Sequence, residues 1–199
     1  MDSYKTLKFV LKPIFKILYR PTIINKEKIP TEKAFIFAGN HKNALDPALV
    51  ALSTKRTVRF LAKKELLEGK TKLFFKAIKA IPVDRKHTSV SAVDTAIKIL
   101  KDNGVISLFP EGTRNKTNKI LLPFKFGAVS MAQKTKSPIV PFAITGDYKL
   151  FRKGIKIEFG EPIDISKMEL QEANEYLMQK VEELIKKNIN GVKQWDMFL

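Results

Sequence analysis

Cysteine is absent from the 199 residues. That excludes a disulfide scaffold, a thiolate nucleophile and a cysteine-ligated zinc site, and it fits a reducing compartment. Histidine occurs only twice, too few for most histidine-built metal sites. No segment approaches the roughly 18–20 uncharged apolar residues that a membrane-crossing helix requires. A Gly-x-Ser-x-Gly nucleophile elbow is missing as well, as are low-complexity linkers and internal repeats. The 14 phenylalanines lie within aliphatic runs and form no base-stacking strip, so nucleic acid is not an expected partner. Acidic residues are scarce: 20 Asp and Glu against 37 Lys and Arg leave a formal charge of +17. A surplus of that size sits on the surface and attracts phosphate-bearing partners, an anionic membrane surface among them.

What is present is 44% hydrophobic, enough for a core and against disorder. Short apolar runs rich in Ile, Val and Phe read as buried strands: AFIFAG, TVRFLAK, AIPVD, GVISLFP, PIVPFAI and GIKIEFG. Helical patterns lie between them: PALVALST, KTKLFFKAIK, TSVSAVDTAIKILKDN and FKFGAVSMAQKTK. Ser166 followed by Glu169 reads as a capping box opening a last helix that stops at Asn190 and Gly191. Strands alternating with helices predict an α/β single domain, a mostly parallel twisted sheet flanked by helices, over residues 25–199.

Residues 1–24 form a separate amphipathic segment. It lacks a secretory cleavage site, and lysines interrupt its apolar residues. On a helix Lys5, Lys8, Lys12, Lys16 and Arg20 make one stripe, while Leu7, Val10, Leu11, Ile14, Phe15, Ile17 and Leu18 cover the remainder. Pro13 is expected to bend or restart this helix. Such a helix either lies in a membrane interface, with lysines on lipid phosphate, or packs on the protein's own core. The segment around Leu73, Phe74 and Phe75 repeats the basic–apolar mixture. Trp195 and Phe198 near the end either anchor at an interface or seal the core, and His87 reads as a solvated loop residue.

The chemistry-bearing stretch is GNHKNALDP, with His41 five positions ahead of Asp46. On one continuous helix the two would be about 140° out of phase and would not meet. Pro47 favours a first helical turn and Asp46 a cap, so the helix is expected to begin there, with His41 on the loop leaving the strand. Either the carboxylate folds back on the imidazole and fixes its tautomer, or Asp46 is a cap and His41 a surface residue. A second strand runs straight into FPEGTR, where Gly112 permits an unusual turn and Arg114 offers a planar fork suited to phosphate. In the same loop Glu111 is placed to orient the arginine or to accept from a substrate hydroxyl. A third strand end, IPVDRK, carries Arg85.

With these segments together, the chain resembles the glycerolipid acyltransferases of the lysophosphatidic acid (1-acylglycerol-3-phosphate) type. Asn40, His41 and Asp46 match the first motif, IPVDR with Arg85 the second, Phe109 to Arg114 the third, and IVPFAI with Pro141 the fourth. The resemblance implies transfer of a fatty acyl group from a thioester to the free hydroxyl of 1-acyl-glycerol-3-phosphate. It also admits glycerol 3-phosphate, another lysophospholipid or an aminoacyl lipid as acceptor. By the same resemblance His41 is the base and Asp46 orients it, while Asn40, Arg85, Glu111, Gly112, Thr113 and Arg114 form the acceptor site. Pro141 shapes the acyl side. It implies no cofactor or metal; acyl carrier protein or coenzyme A arrives as the acyl thioester co-substrate. The expected location is peripheral, on the cytoplasmic face of a bacterial inner membrane.

Overall fold

The computed structural model describes residues 3–68, 72–83 and 90–196. The six apolar runs become β2 (Phe35–Gly39), β3 (Val58–Lys63), β4 (Ile81–Val83), β5 (Val105–Leu108), β6 (Ile139–Thr145) and β7 (Lys156–Phe159). A seventh strand, β1 (Thr22–Ile24), is too short to carry a readable pattern and exists because it pairs with β7. The sheet order is β1-β7-β6-β2-β5-β3-β4, parallel throughout except for the β6–β7 pair.

Burial on both sides explains why the central strands read as unbroken apolar runs. On β2, Phe35 and Phe37 face one layer, while Ile36 and Ala38 face the other. The first layer holds α1 (Ser3–Tyr19) and α2 (Asp46–Ser53) through Phe15, Leu49 and Val50. The second holds α5 (Val90–Lys101), α6 (Gly127–Thr135) and α7 (Leu170–Asp196) through Ala96, Val129 and Leu177. Two short helices, α3 (Lys64–Glu68) and α4 (Lys72–Ala77), follow β3, and α4 lies beside α1.

This layering creates the crevice that matters. The chain leaving β2 turns to α2 on one face, and the chain leaving the adjacent, parallel β5 turns to α6 on the other. Such a divergence opens a gap at the carboxyl ends of the two strands, the usual place for ligands in open α/β sheets. Gly39 lets the last residue of β2 approach β6 closely; a Cβ there would stand 2.2 Å from the Phe142 carbonyl oxygen.

Three sequence expectations are corrected here. The α1 helix does not restart at Pro13 but continues through it, because that residue sits on the exposed side, where water can take up the carbonyl freed one turn earlier. The last helix begins at Leu170: the Ser166 N–H donates to Asp164 Oδ1 (2.9 Å), closing a turn where the capping box was expected. It then continues past Gly191 to Asp196. Phe198, Arg85 and His87 lie outside the described residues.

The α1 helix packs one side on the core and leaves the other exposed. Tyr4 and Phe15 are buried, and the Tyr4 hydroxyl accepts the Val58 N–H (3.1 Å). Lys8, expected in the outer stripe, instead turns inward and donates to the Arg56 carbonyl (2.9 Å). Burial, then neighbouring Lys12 and Lys26, pushes its amine down to about 8. The outer face carries Phe9, 80% exposed, and Ile17, 62% exposed, with Val10 and Ile14. No helix among the described residues is long and apolar enough to cross a membrane.

Candidate active site

The first residue after β2 shows why an asparagine precedes the histidine. Asn40 is buried, and its carboxamide pairs with β6 as a strand residue would: Nδ2 donates to the Ile144 carbonyl (2.9 Å) and Oδ1 accepts the Ile144 N–H (2.7 Å). Its side chain thus continues the ladder one step beyond Gly39, so the main chain can swing away into the crevice while still anchored.

His41 follows, and the loop after β5 grips it on three sides. Its N–H donates to Glu111 Oε1 (2.8 Å), and its carbonyl accepts the Asn115 N–H (2.7 Å). The Phe109 ring stacks on the imidazole, with centroids 4.1 Å apart and planes 21° from parallel. Phe109 is itself seated edge-on against Phe142 of β6. The segments NHxxxxD and FPEGTR are therefore one object: the second is the clamp that orients the first.

Asp46 faces back toward His41 from the first residue of α2. Its side chain does not cap the helix, contrary to the sequence expectation. Oδ2 accepts from the N–H groups of Lys42 and Asn43 (each 2.7 Å) and lies 2.9 Å from His41 Nδ1. Oδ1 accepts the Tyr148 hydroxyl (2.7 Å). A carboxylate so surrounded by donors only accepts, so Nδ1 carries the ring proton and Nε2 is left as the basic nitrogen. The Asp46 side chain is 0% exposed and that of His41 17%, a sealed orienting group behind a reachable imidazole.

The other expected site residues separate into two groups. Thr113 and Arg114 are exposed on the loop that holds His41, and Gly112 makes the turn possible at φ +69°. Glu111 is 4% exposed, and its second oxygen accepts the Leu122 N–H (2.9 Å), so both oxygens are occupied by backbone donors. Burial raises its pKa, against the lowering effect of those two hydrogen bonds. The carboxylate joins two loops instead of presenting itself to a substrate hydroxyl or to Arg114. Asn40, as shown, faces β6 and not the crevice. Pro141 is buried within β6, its ring against Gly160. It belongs to the core layer under α7, with the side chain on the sheet face opposite Phe142.

Tyr148, Phe109 and Asn115 carry contacts that no local pattern announces. Tyr148 lies 102 positions from Asp46, and nothing in GDYKL marks the tyrosine as its partner.

Fold and site together define an α/β protein with a histidine oriented by a buried carboxylate at the carboxyl edge of a mostly parallel sheet. The family model described as Acyltransferase matches residues 20–145, more than half of the chain and the whole site except Tyr148, and the chain belongs to that family. It is 34% identical over 194 residues to a 1-acyl-sn-glycerol-3-phosphate acyltransferase of Bacillus subtilis, covering 91% of this chain and 96% of the relative. A protein of the same description from Streptococcus pneumoniae is 31% identical over 182 residues, covering 86% of this chain and 67% of the relative. Among solved structures, the 1-acyl-sn-glycerophosphate (LPA) acyltransferase PlsC of Thermotoga maritima superposes with a TM-score of 0.71 at 27% identity, covering 90% of this chain and 80% of that one.

Proposed function

We propose that this enzyme moves a fatty acyl group from an acyl thioester to the free hydroxyl of 1-acyl-glycerol-3-phosphate, giving phosphatidic acid. The observation that carries the chemistry is the His41–Asp46 pair, 2.9 Å apart, with the histidine main chain pinned on both sides. The acceptor identity rests on the descriptions of the relatives.

A hydroxyl is a weak nucleophile at neutral pH, so its proton must leave as it attacks. His41 Nε2 takes that proton while the oxygen bonds to the thioester carbonyl carbon. Collapse of the tetrahedral intermediate breaks the carbon–sulfur bond, and the imidazolium returns the proton to sulfur. The thioester arrives already activated, so no acyl-enzyme is needed. Arg114, exposed next to the clamped histidine, supplies the fork for the acceptor phosphate, and Arg85 adds to it. Glu111, Gly112 and Asn40 support this geometry from behind. The outer apolar face of α1 and the exposed Leu73 of neighbouring α4 rest in the interface of an anionic membrane. The net charge of +17 favours that surface and also an acyl donor on acidic carrier protein or coenzyme A.

Transfer from both donors to lysophosphatidic acid, glycerol 3-phosphate and other lysolipids tests the reading. His41→Ala is expected to lower kcat by about 10²–10⁴-fold, the usual contribution of a positioned base. Arg114→Ala is expected to raise the acceptor KM. A His41→Ala enzyme as fast as the parent removes the base assignment, and a faster reaction with another acceptor reassigns the substrate.

A further inference from the structure

Asp46 is held unevenly. Its Oδ2 meets the histidine and two backbone amides, whereas Oδ1 is met by the Tyr148 hydroxyl at 2.7 Å. Rotation about its Cβ–Cγ bond would draw Oδ2 off those donors, and the bond from Tyr148 to the other oxygen resists that rotation. Burial, then the charge of Asp46, raises the phenol's pKa, so the hydroxyl remains a donor at every working pH.

Tyr148 belongs to the connection between β6 and β7, and its ring does not rest on the sheet alone. It meets Tyr19 edge-on at 5.6 Å and Phe15 at 6.3 Å, both on α1, and those two rings pack together at 5.0 Å. The same connection is tied to the end of α1 by the Phe151 N–H, which donates to the Leu18 carbonyl. A continuous chain of contacts therefore runs from the N-terminal helix through Tyr148 to Asp46 and the imidazole.

We propose that Tyr148 is a positioning residue for the dyad, and that it makes the orientation of Asp46 depend on α1 being seated against the β6–β7 connection. This rests on the reading of His41 as the base. Its physical content is differential: removing the hydroxyl leaves the acceptor site intact and misaligns the base, so the loss falls on kcat and not on KM. A ring that merely filled the gap under α1 would tolerate phenylalanine without cost to the rate.

The test uses the full chain and a soluble short-chain lysophosphatidic acid, so that vesicle binding does not enter the rate. Tyr148→Phe is expected to keep the parent circular dichroism and lower kcat about ten-fold, as losing one hydrogen bond to a charged group does. The acceptor KM stays within about two-fold. Tyr19→Leu, which touches neither dyad residue, lowers kcat in the same way. Combined with Tyr148→Phe it adds little, because both act through one contact. A Tyr148→Phe enzyme with the parent kcat, or one altered only in KM, overturns the proposal. Losses from Tyr19→Leu and Tyr148→Phe that multiply independently overturn the link to α1. If His41→Ala alone remains active, the base reading has failed instead, and the two failures are distinguished.

Discussion

Asn40 offers the most direct check on how the site is built. Replacing it with alanine removes two buried hydrogen bonds, to the Ile144 carbonyl at 2.9 Å and from the Ile144 N–H at 2.7 Å. Alanine has nothing to put in their place, and each orphaned backbone group costs about 1–3 kcal/mol. Removing the carboxamide leaves room for a water beside the two polar groups, which sets the expected loss near the low end, about 3 kcal/mol in total. For a chain of this size that lowers the midpoint of thermal unfolding by about 6–12 °C. Circular dichroism melts measure it, beside initial rates taken well below the transition. Those rates are expected to fall through kcat, because the end of β2 aims His41, with the acceptor KM unchanged. Asn40→Asp separates the two bonds: it keeps an acceptor for the Ile144 N–H but sets an oxygen against the Ile144 carbonyl, and it should melt no higher than the alanine variant. An Asn40→Ala protein that melts within about 1 °C of the parent refutes the ladder account. A selective rise in acceptor KM would return the residue to the substrate site.

Glu111→Gln places an amide NH2 opposite the N–H of His41 or Leu122, a donor facing a donor, and is expected to cost about 1–3 kcal/mol of stability along with a lower kcat. A rise in KM alone would instead show the carboxyl group meeting substrate. On α1, Phe9→Ser and Ile17→Ser alter side chains that touch little protein, so stability should move by no more than about 0.5 kcal/mol. Each is expected to weaken sedimentation with anionic vesicles by roughly thirty-fold, the value of about 2 kcal/mol of apolar burial. Pelleting equal to the parent's would leave that face without a lipid role.

Much of the architecture was legible because it depends on patterns that are local. The strands from β2 to β7 announce themselves as apolar runs, since a sheet buried on both faces admits little else. The first and third motifs also pointed to one site, and the structure joins them. Their division of labour was not legible. Asn40 and Glu111 are polar residues in a functional motif, and nothing local says whether such a group faces substrate or backbone; that is decided by partners at positions 144 and 122. Asp46 before Pro47 has every attribute of a cap, yet its carboxylate turns backward because three donors of the preceding loop gather there. Pro141 is similar: its motif position suggested a pocket wall, but strand alternation turns it into the layer beneath α7. The short β1 and the inward turn of Lys8 depend on neighbours far along the chain.

The crowding of donors about Asp46 also bears on the route a proton would take during turnover. Lys42, Asn43 and the imidazole aim at one oxygen and the Tyr148 hydroxyl at the other, which leaves the outer edge of the ring as the side open to substrate. On the proposed mechanism a hydrogen ion taken at that edge departs by it again. The reaction would then reset itself within a single encounter, and a leaving group that failed to accept that hydrogen would leave the catalyst stalled in its cationic form.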